Sequence, residues 1–328
     1  MASIFDHGPH TSRQGPNKLY QRLALRFTAD FSRLTTQVFK VSKFITTEGI
    51  NYRQVLISSP LTKGRWIRLA IYEPAQRKNK GPVLLWLHGG GYSLGVPEQD
   101  LRFVKQFIAA RDCTIVAPAY TLSTKEGYPA AIEDAYATLL WIKHQTDYLN
   151  ARSDQIMVGG NSAGGSLALA LVIAARDLGQ VKIAFQMPLY PMIDDQMLRA
   201  LTPMRQRTPT WMIKVSQLVW ALYLGEAYGS QTISYYASPI RLDDYHNLPP
   251  TYTYLGTIEP FYDGIISFME RLIATGVPAD YDVYPWCFHG FDILWPSSPQ
   301  SQKAAKRLLN HFIYACDHYY APQGDKEE

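Results

Sequence analysis

A serine flanked by glycines is the residue of this chain best suited to nucleophilic chemistry. Residues 160–164 read Gly-Asn-Ser-Ala-Gly, a Gly-x-Ser-x-Gly element centred on Ser162. The apolar run 155–159 before it predicts a buried strand, and the apolar run 165–176 after it predicts a buried helix. A strained turn between strand and helix needs small neighbours to let the serine hydroxyl project. The pattern predicts a nucleophile elbow with Ser162 as the nucleophile.

A glycine run upstream could stabilise the negative charge that attack on a carbonyl creates. The predicted strand 83–87 is followed by His88 and then by Gly89, Gly90 and Gly91. Glycines let backbone N–H groups approach a substrate oxygen, and Ala163 after the nucleophile supplies another N–H. Phosphate loops are also glycine-rich, but no Gly-Lys-Ser/Thr follows here. We therefore expect an oxyanion hole whose loop His88 anchors by hydrogen bonding.

His289 is the histidine best placed to accept the serine proton. It is the only histidine downstream of Ser162 that is predicted to lie in a loop at the end of a strand. His311 and His318 fall in or just past the predicted terminal helix, and His246 precedes a loop with two prolines. A serine nucleophile needs such a base within hydrogen-bond reach. We assign His289 as the base.

The base in turn needs an orienting acid. In hydrolases with this elbow the chain order is serine, acid, histidine. Glu259 and Asp263 both follow the predicted strand 251–255, whereas Asp194 and Asp195 follow an earlier strand and fit less well. Either carboxylate could instead be a solvated loop residue. The residues alone leave Glu259 and Asp263 open.

Apolar runs alternating with helical patterns predict an α/β fold with a mostly parallel, doubly wound sheet. Amphipathic helices are predicted at 130–148 and 301–314. The segments 16–39 and 194–236 do not fit the alternation, and we interpret them as a cap, with ordinary packed helices as the alternative. The predicted strands are 66–71, 83–87, 114–117, 156–159, 183–188, 251–255 and 281–284.

Composition excludes several classes of protein. The chain has 328 residues, 47% of them hydrophobic, and a formal net charge of +4 with its basic residues scattered. These values predict a globular protein that does not bind nucleic acid. The longest apolar stretch is too short to span a membrane, and no secretory signal is visible. Three widely spaced cysteines fit free thiols, so we expect a cytoplasmic protein without a structural metal site.

Three motifs together resemble the hormone-sensitive-lipase branch of the α/β-hydrolase family, which contains bacterial esterases and arylacetamide deacetylases. They are residues 88–91, 160–165 and 289–291, and supporting matches occur at 128–136, 236–240 and 248–252. The resemblance implies an α/β-hydrolase fold with a small helical cap. Its domains would be a cap arm at 1–50, a catalytic domain at 51–193 and 237–328, and a cap insertion at 194–236.

The chain departs from that family at three places. The family's acid-proline step falls on Glu259-Pro260, where aspartate is usual, so the resemblance favours Glu259 and keeps Asp263 as the alternative. Asn161 stands where the family usually has aspartate beside the serine, which would alter local hydrogen bonding. Residues 120–125 also differ from the family's usual arginine and alanine-proline pattern.

These observations predict a serine carboxylesterase that acts on short-chain acyl esters and needs no cofactor or metal. Trp211 and Met212, in an aromatic and methionine-rich cap segment with Met204 and Trp220, are expected to bind the substrate. An amide-directed hydrolase, such as a deacetylase or arylformamidase, would share every residue named. A non-catalytic receptor like the plant gibberellin receptors would lack the histidine, which this chain keeps. Nothing specifies a homodimer, and the sequence leaves one open.

Overall fold

The protein is described by a computed structural model over residues 4–5, 48–77, 79–196 and 207–324. In this part of the chain eight strands form one sheet in the order β1-β2-β4-β3-β5-β6-β7-β8. The strands are β1 (Ile50–Ser58), β2 (Trp66–Pro74), β3 (Gly81–Leu87), β4 (Thr114–Pro118), β5 (Ala151–Asn161), β6 (Phe185–Leu189), β7 (Thr251–Ile258) and β8 (Ala279–Phe288). Strand β2 pairs antiparallel with β1 on one side and with β4 on the other. Every other pair of neighbouring strands in this sheet is parallel. The predicted α/β class and mostly parallel sheet are confirmed.

Helices cover this sheet. They are α1 (Leu101–Ala110), α2 (Ala130–His144), α3 (Ala163–Leu178), α4 (Thr210–Leu224), α5 (Tyr262–Ala274), α6 (Phe291–Leu294) and α7 (Pro299–His318). Helices α2 and α3 pack together, and α1 packs on α7 through Phe107 and Phe312, whose ring centroids are 4.8 Å apart. Every residue of β3 is buried. A strand buried throughout must be covered on both faces, as in a doubly wound sheet.

Helix α3 shows why the segment after the serine folds as it does. Every residue from Ala163 to Ala175 is buried, so the helix is apolar all round and lies in the core. It ends at Gly179, which adopts the left-handed conformation with φ 66° that favours glycine at a helix terminus. The predicted helix and its terminating glycine are both present.

All seven predicted strands are present, but β1, α1 and α5 were not anticipated. Strand β1 is an edge strand that pairs only with β2 and exposes much of its length, so it lacks a buried strand's apolar run. Helix α5 includes Asp263 and Gly264, which the sequence placed in a loop. Gly264 packs closely against the segment after β6, since an added Cβ would lie 3.2 Å from Asp194 Cβ.

The predicted cap falls only partly within the described residues. Segment 16–39 and Met204 lie outside them, as does most of the proposed arm 1–50. The described part of the insertion contains α4, which is anchored to the catalytic part of the chain. Tyr223 stacks on Tyr92 with ring centroids 3.8 Å apart, and its carbonyl accepts a 2.7 Å hydrogen bond from Tyr128 N. The domain division stays a prediction.

Candidate active site

Ser162 lies in a strained turn between β5 and α3. Its backbone has φ 56° and ψ −121°, a conformation that non-glycine residues rarely adopt. Hydrogen bonds fix it on both sides: Ser162 N donates to Leu189 O of β6 at 3.0 Å, and Ser162 O accepts from Ser166 N and Met192 N, each at 3.0 Å. The turn is therefore held by its neighbours in the geometry of a nucleophile elbow.

Gly164 shows why the residues around the serine are small. A Cβ at this position would lie 2.1 Å from Leu87 O and 2.4 Å from His88 O, both backbone atoms. No side chain fits at that distance. The absence of a side chain lets the first turn of α3 approach the end of β3, where the glycine loop begins.

Three side chains form a continuous hydrogen-bonded array at the carboxyl ends of β5, β7 and β8. Ser162 Oγ lies 2.7 Å from His289 Nε2, and His289 Nδ1 lies 2.6 Å from Glu259 Oε1. The Glu259 side chain is fully buried, and its Oε2 has no hydrogen-bond partner among the described residues. Tyr190 and Phe261 pack edge-on against the His289 ring with centroids 5.3 and 5.5 Å away. The histidine is thus fixed between hydroxyl and carboxylate.

Of the two acids left open by the residues, Glu259 is the one that reaches His289. It occupies the short turn between the end of β7 at Ile258 and the start of α5 at Tyr262. Asp263 lies in the first turn of α5. The geometry thus supports the position that the family resemblance indicates.

The glycine loop after β3 presents backbone N–H groups. Gly90 and Gly91 have φ angles of 122° and 59°, and Gly90 O accepts hydrogen bonds from Ser93 N and Leu94 N. Within the described residues, the N–H groups of Gly90 and Gly91 make no backbone hydrogen bond. Ala163 opens α3, where helical N–H groups have no intrahelical acceptor. These donors have the character that an oxyanion hole requires.

His88 and Gln99 pin the loop at Gly89. His88 Nδ1 lies 2.8 Å from Gly89 O, and Gln99 Nε2 donates to the same oxygen at 3.2 Å. Tyr120 stacks on the His88 ring at 4.3 Å and donates its hydroxyl hydrogen to His88 O at 2.7 Å. Burial lowers the pKa of His88 to about 4, so the ring is neutral near pH 7. These contacts agree with the anchoring role expected of His88.

Two buried carboxyl groups lie behind this array, and the sequence interpretation missed both. Asp100 Oδ2 accepts hydrogen bonds from Trp86 Nε1 at 2.8 Å and from Asn161 Nδ2 at 2.6 Å. Asp292 accepts the Tyr254 hydroxyl hydrogen at 2.7 Å. Burial raises the pKa of Asp100 to about 7, and it also raises the pKa of Asp292. No local motif marks either residue, because their partners are distant in sequence.

The start of α4 carries both residues predicted to bind substrate. The Met212 side chain is buried, and Trp211 is 65% exposed. Further along the helix, Val219 lies against the glycine loop, since a Cβ on Gly91 would be 2.8 Å from Val219 Cγ1. The Arg207 guanidinium lies 5.4 Å from the ring centroid of Trp286, which precedes His289. The described insertion therefore contacts both the glycine loop and the histidine segment.

The described residues contain neither a metal-binding cluster nor a membrane-spanning helix. Among the described residues, no group of three or more His, Cys, Asp or Glu side chains could hold a metal ion. None of the helices in this part of the chain combines the length and apolar character that crossing a bilayer requires.

A cavity of about 500 Å³ lies at the amino ends of β6, β7 and β8, away from Ser162, and is lined by Phe185, Thr251, Ala279, Arg307 and His311.

A serine, histidine and carboxylate at the carboxyl ends of a mostly parallel sheet define the α/β-hydrolase class. Residues 84–293 match the protein family described as alpha/beta hydrolase fold. The chain therefore belongs to this family, on its hormone-sensitive-lipase-like branch, and it is a hydrolase.

Several of the similar proteins are bacterial esterases. Esterase LipI of Mycobacterium tuberculosis is 32% identical over 231 residues, which cover 70% of this chain and 72% of LipI. Carboxylesterase NlhH of the same species is 27% identical over 257 residues, covering 76% of this chain and 79% of NlhH. The structure of a bacterial heroin esterase superposes with a TM-score of 0.80 at 29% identity, covering 91% of this chain and 98% of that one.

Proposed function

We propose that this protein is a serine carboxylesterase with Ser162 as nucleophile, His289 as base and Glu259 as orienting acid. The observation that carries the proposal is the unbroken Ser162–His289–Glu259 array, with hydrogen bonds of 2.7 and 2.6 Å. Ester hydrolysis is supported by the similarity to LipI, NlhH and the heroin esterase.

The mechanism follows from this geometry. His289 Nε2 accepts the Ser162 hydroxyl proton as Oγ attacks the ester carbonyl, and the buried Glu259 carboxylate stabilises the imidazolium that forms. The His289 proton then passes to the departing alcohol, which leaves an acyl group on Ser162. A water molecule deprotonated by His289 attacks this acyl-enzyme, releases the carboxylic acid and restores the serine.

The developing oxyanion needs preorganised donors. We propose the N–H groups of Gly90, Gly91 and Ala163, with Gly89 as a further contributor. The helix N-terminus at Ala163 adds a favourable partial positive charge. Donors of this kind act mostly in the transition state, so they raise kcat more than they lower KM.

We further propose a preference for short acyl chains. Helix α4 lies against the glycine loop through Val219, and its buried face includes Met212 and Trp220. Apolar side chains this close to the proposed oxyanion hole limit the length of acyl chain that fits. The cap role of 194–236 and the substrate contacts of Trp211 and Met212 belong to this proposal. A cytoplasmic location also stays a prediction, consistent with three buried free cysteines.

The test combines turnover with covalent labelling. Ser162→Ala should lower kcat for 4-nitrophenyl acetate by about 10⁴ or more and abolish labelling by a fluorophosphonate probe. Ser166→Ala is the matched control, because Ser166 is a buried serine near the start of the helix that follows Ser162. Wild-type turnover by Ser162→Ala would refute the serine mechanism.

A substrate panel tests specificity. Acetyl and butyryl 4-nitrophenyl esters should give higher kcat/KM than the decanoyl ester, and 4-nitroacetanilide should be a poorer substrate than the matched acetate. Faster hydrolysis of the decanoyl ester would refute the short-chain preference. Faster hydrolysis of the anilide would make the protein an amide-directed hydrolase.

A further inference from the structure

Asn161 sits between the nucleophile and the glycine loop. It immediately precedes Ser162, and its side chain lies close to Gly89, where an added Cβ would be 2.2 Å from Asn161 Oδ1. No side chain other than hydrogen fits at residue 89 while Asn161 holds this position. The position of Asn161 therefore sets how closely the nucleophile turn and the glycine loop approach each other.

Asp100 fixes the other end of the same amide. Asn161 Nδ2 donates to Asp100 Oδ2 at 2.6 Å, and Trp86 Nε1 donates to that oxygen at 2.8 Å. Asp100 and Asn161 are only 3% and 2% exposed, so water does not replace these bonds. Because a carboxylate oxygen accepts, the NH₂ group of Asn161 must face Asp100 and its oxygen must face Gly89.

We propose that Asp100, acting through Asn161, is a positioning residue that fixes the spacing between Ser162 and the oxyanion-hole loop. The proposal rests on the proposed serine mechanism and deepens it. In this view Asp100 touches neither substrate nor reacting atoms. The Asn161 amide can donate to the Asp100 carboxyl at 2.6 Å whether or not that carboxyl is ionised.

The consequence is clearest for Asn161→Asp. This substitution sets two carboxyl groups about 2.6 Å apart, and such a pair must share a proton. At pH 6 the pair keeps the proton and the spacing survives. At higher pH the proton leaves, the two charges repel each other, and the nucleophile turn moves relative to Gly89.

The other titratable groups that face Asp100 remain the same in every variant. They are Asp292 from α6 and the tyrosines Tyr72, Tyr120 and Tyr190. Burial raises the pKa of each tyrosine, so all three hydroxyls stay neutral through the assay range. Burial also raises the pKa of Asp292, but this residue is present in every variant, so comparing Asn161→Asp with wild type and with the double variant isolates the introduced pair.

The experiment measures kcat and KM for 4-nitrophenyl acetate from pH 6 to pH 10. Asn161→Asp should stay within about threefold of wild type at pH 6 and lose about 10² in kcat at high pH, with KM little changed. This loss is the usual effect of removing one oxyanion donor. The double variant Asp100→Leu/Asn161→Asp has no second carboxyl at this contact, so its kcat should be low but should show no alkaline loss. An amide at 100 would not serve, because Trp86 Nε1 and residue 161 face the same atom.

A residue that only stabilised the fold would not give this pattern, because its loss of activity would follow unfolding and would not be cancelled by removing the second carboxyl. If Asn161→Asp shows no alkaline loss, or if the double variant keeps it, the proposal is overturned. If Asn161→Asp does not fold, Asp100→Leu decides the question. Leucine accepts no hydrogen bond, so kcat should fall at every pH with KM nearly constant, and an unchanged kcat would overturn the proposal.

Ser162→Ala separates the two proposals. Activity retained by Ser162→Ala would refute the serine mechanism, whatever the pH profiles show. An inactive Ser162→Ala together with an absent alkaline loss would refute only the role of Asp100.

Discussion

Replacing Glu259 by glutamine tests the most consequential contact in the proposed site. The Glu259 side chain is fully buried, and Oε1 lies 2.6 Å from His289 Nδ1. Glutamine keeps the shape but removes the charge that would stabilise the imidazolium. Its NH₂ group can also donate to Nδ1, which would place the ring proton on Nε2, 2.7 Å from Ser162 Oγ. The histidine would then present a donor where the mechanism needs an acceptor.

The reversed tautomer of His289 sets the expected loss of kcat. Holding the wrong imidazole tautomer lowers kcat by about 10⁴ in serine hydrolases. At about 1.4 kcal/mol for each factor of ten, the transition state loses about 5.5 kcal/mol. Asp263→Asn provides the matched control, because it removes a nearby carboxylate from the first turn of α5. Losing an acidic residue from a helix N-terminus costs about 0.3–1 kcal/mol of stability, and kcat should change by less than about threefold.

The assay is steady-state hydrolysis of 4-nitrophenyl acetate, with thermal unfolding recorded for each variant. We expect Glu259→Gln to stay folded and nearly inactive. A Glu259→Gln enzyme within tenfold of wild type would refute the reasoning. A larger loss in Asp263→Asn than in Glu259→Gln would move the acid to Asp263.

Three further predictions concern packing, specificity and pH. Gly164→Ala should unfold at clearly lower temperature than wild type and lose activity, because its Cβ would lie 2.1 Å from a backbone oxygen; an unchanged melting temperature would contradict this. Met212→Ala should raise kcat/KM for decanoyl relative to butyryl esters more than Trp211→Ala does, since Met212 is buried and Trp211 exposed; equal ratios in all three enzymes would argue against a pocket role. The Asp100 pKa of about 7 exceeds the ordinary value of 3.8, so the folded state binds the extra proton between these values, and the contribution of Asp100 to stability falls as pH rises from about 4 to 8. In denaturant titrations Asp100→Asn should remove this fall, worth up to about 4 kcal/mol. The lowered pKa of His88 has the opposite effect on stability, but this effect is the same in wild type and in Asp100→Asn and cancels in their difference. Parallel curves of stability against pH for the two enzymes would contradict the raised pKa of Asp100.

Sequence reasoning succeeded where the deciding interactions are local. The strand, turn and helix around Ser162 follow from apolar runs and small residues within about 20 positions. Among the histidines that follow Ser162, the predicted position in a loop at the end of a strand then favoured His289 as the base. Strand β1 and the Asp100–Asn161 contact could not be found in this way. The first has little apolar patterning, and the second joins residues 61 positions apart.

The choice of acid shows a different limit. Glu259 and His289 directly follow the ends of the neighbouring strands β7 and β8. The pairing of these two strands shifts register between Gly256 and Ile258. Such irregularities redirect side chains next to active sites. Gly256 permits the close approach there, since a Cβ would lie 2.0 Å from Cys287 O. No periodicity in the sequence reports a register shift, so residue counting alone could not separate Glu259 from Asp263.

The strained backbone at Ser162 links stability to catalysis. A non-glycine residue with positive φ costs about 1–3 kcal/mol, and it persists only where the surrounding structure imposes it. Here the constraint comes from β6 through Leu189 O, from α3 through Ser166 N, and from the segment after β6 through Met192 N. The neighbouring residue Asn161 is held in turn by its side-chain hydrogen bond to Asp100. Because these contacts come from separate elements, loosening any one of them lets the turn relax before the sheet unfolds. Variants at the elbow should therefore lose activity at lower temperatures than those at which they lose their fold.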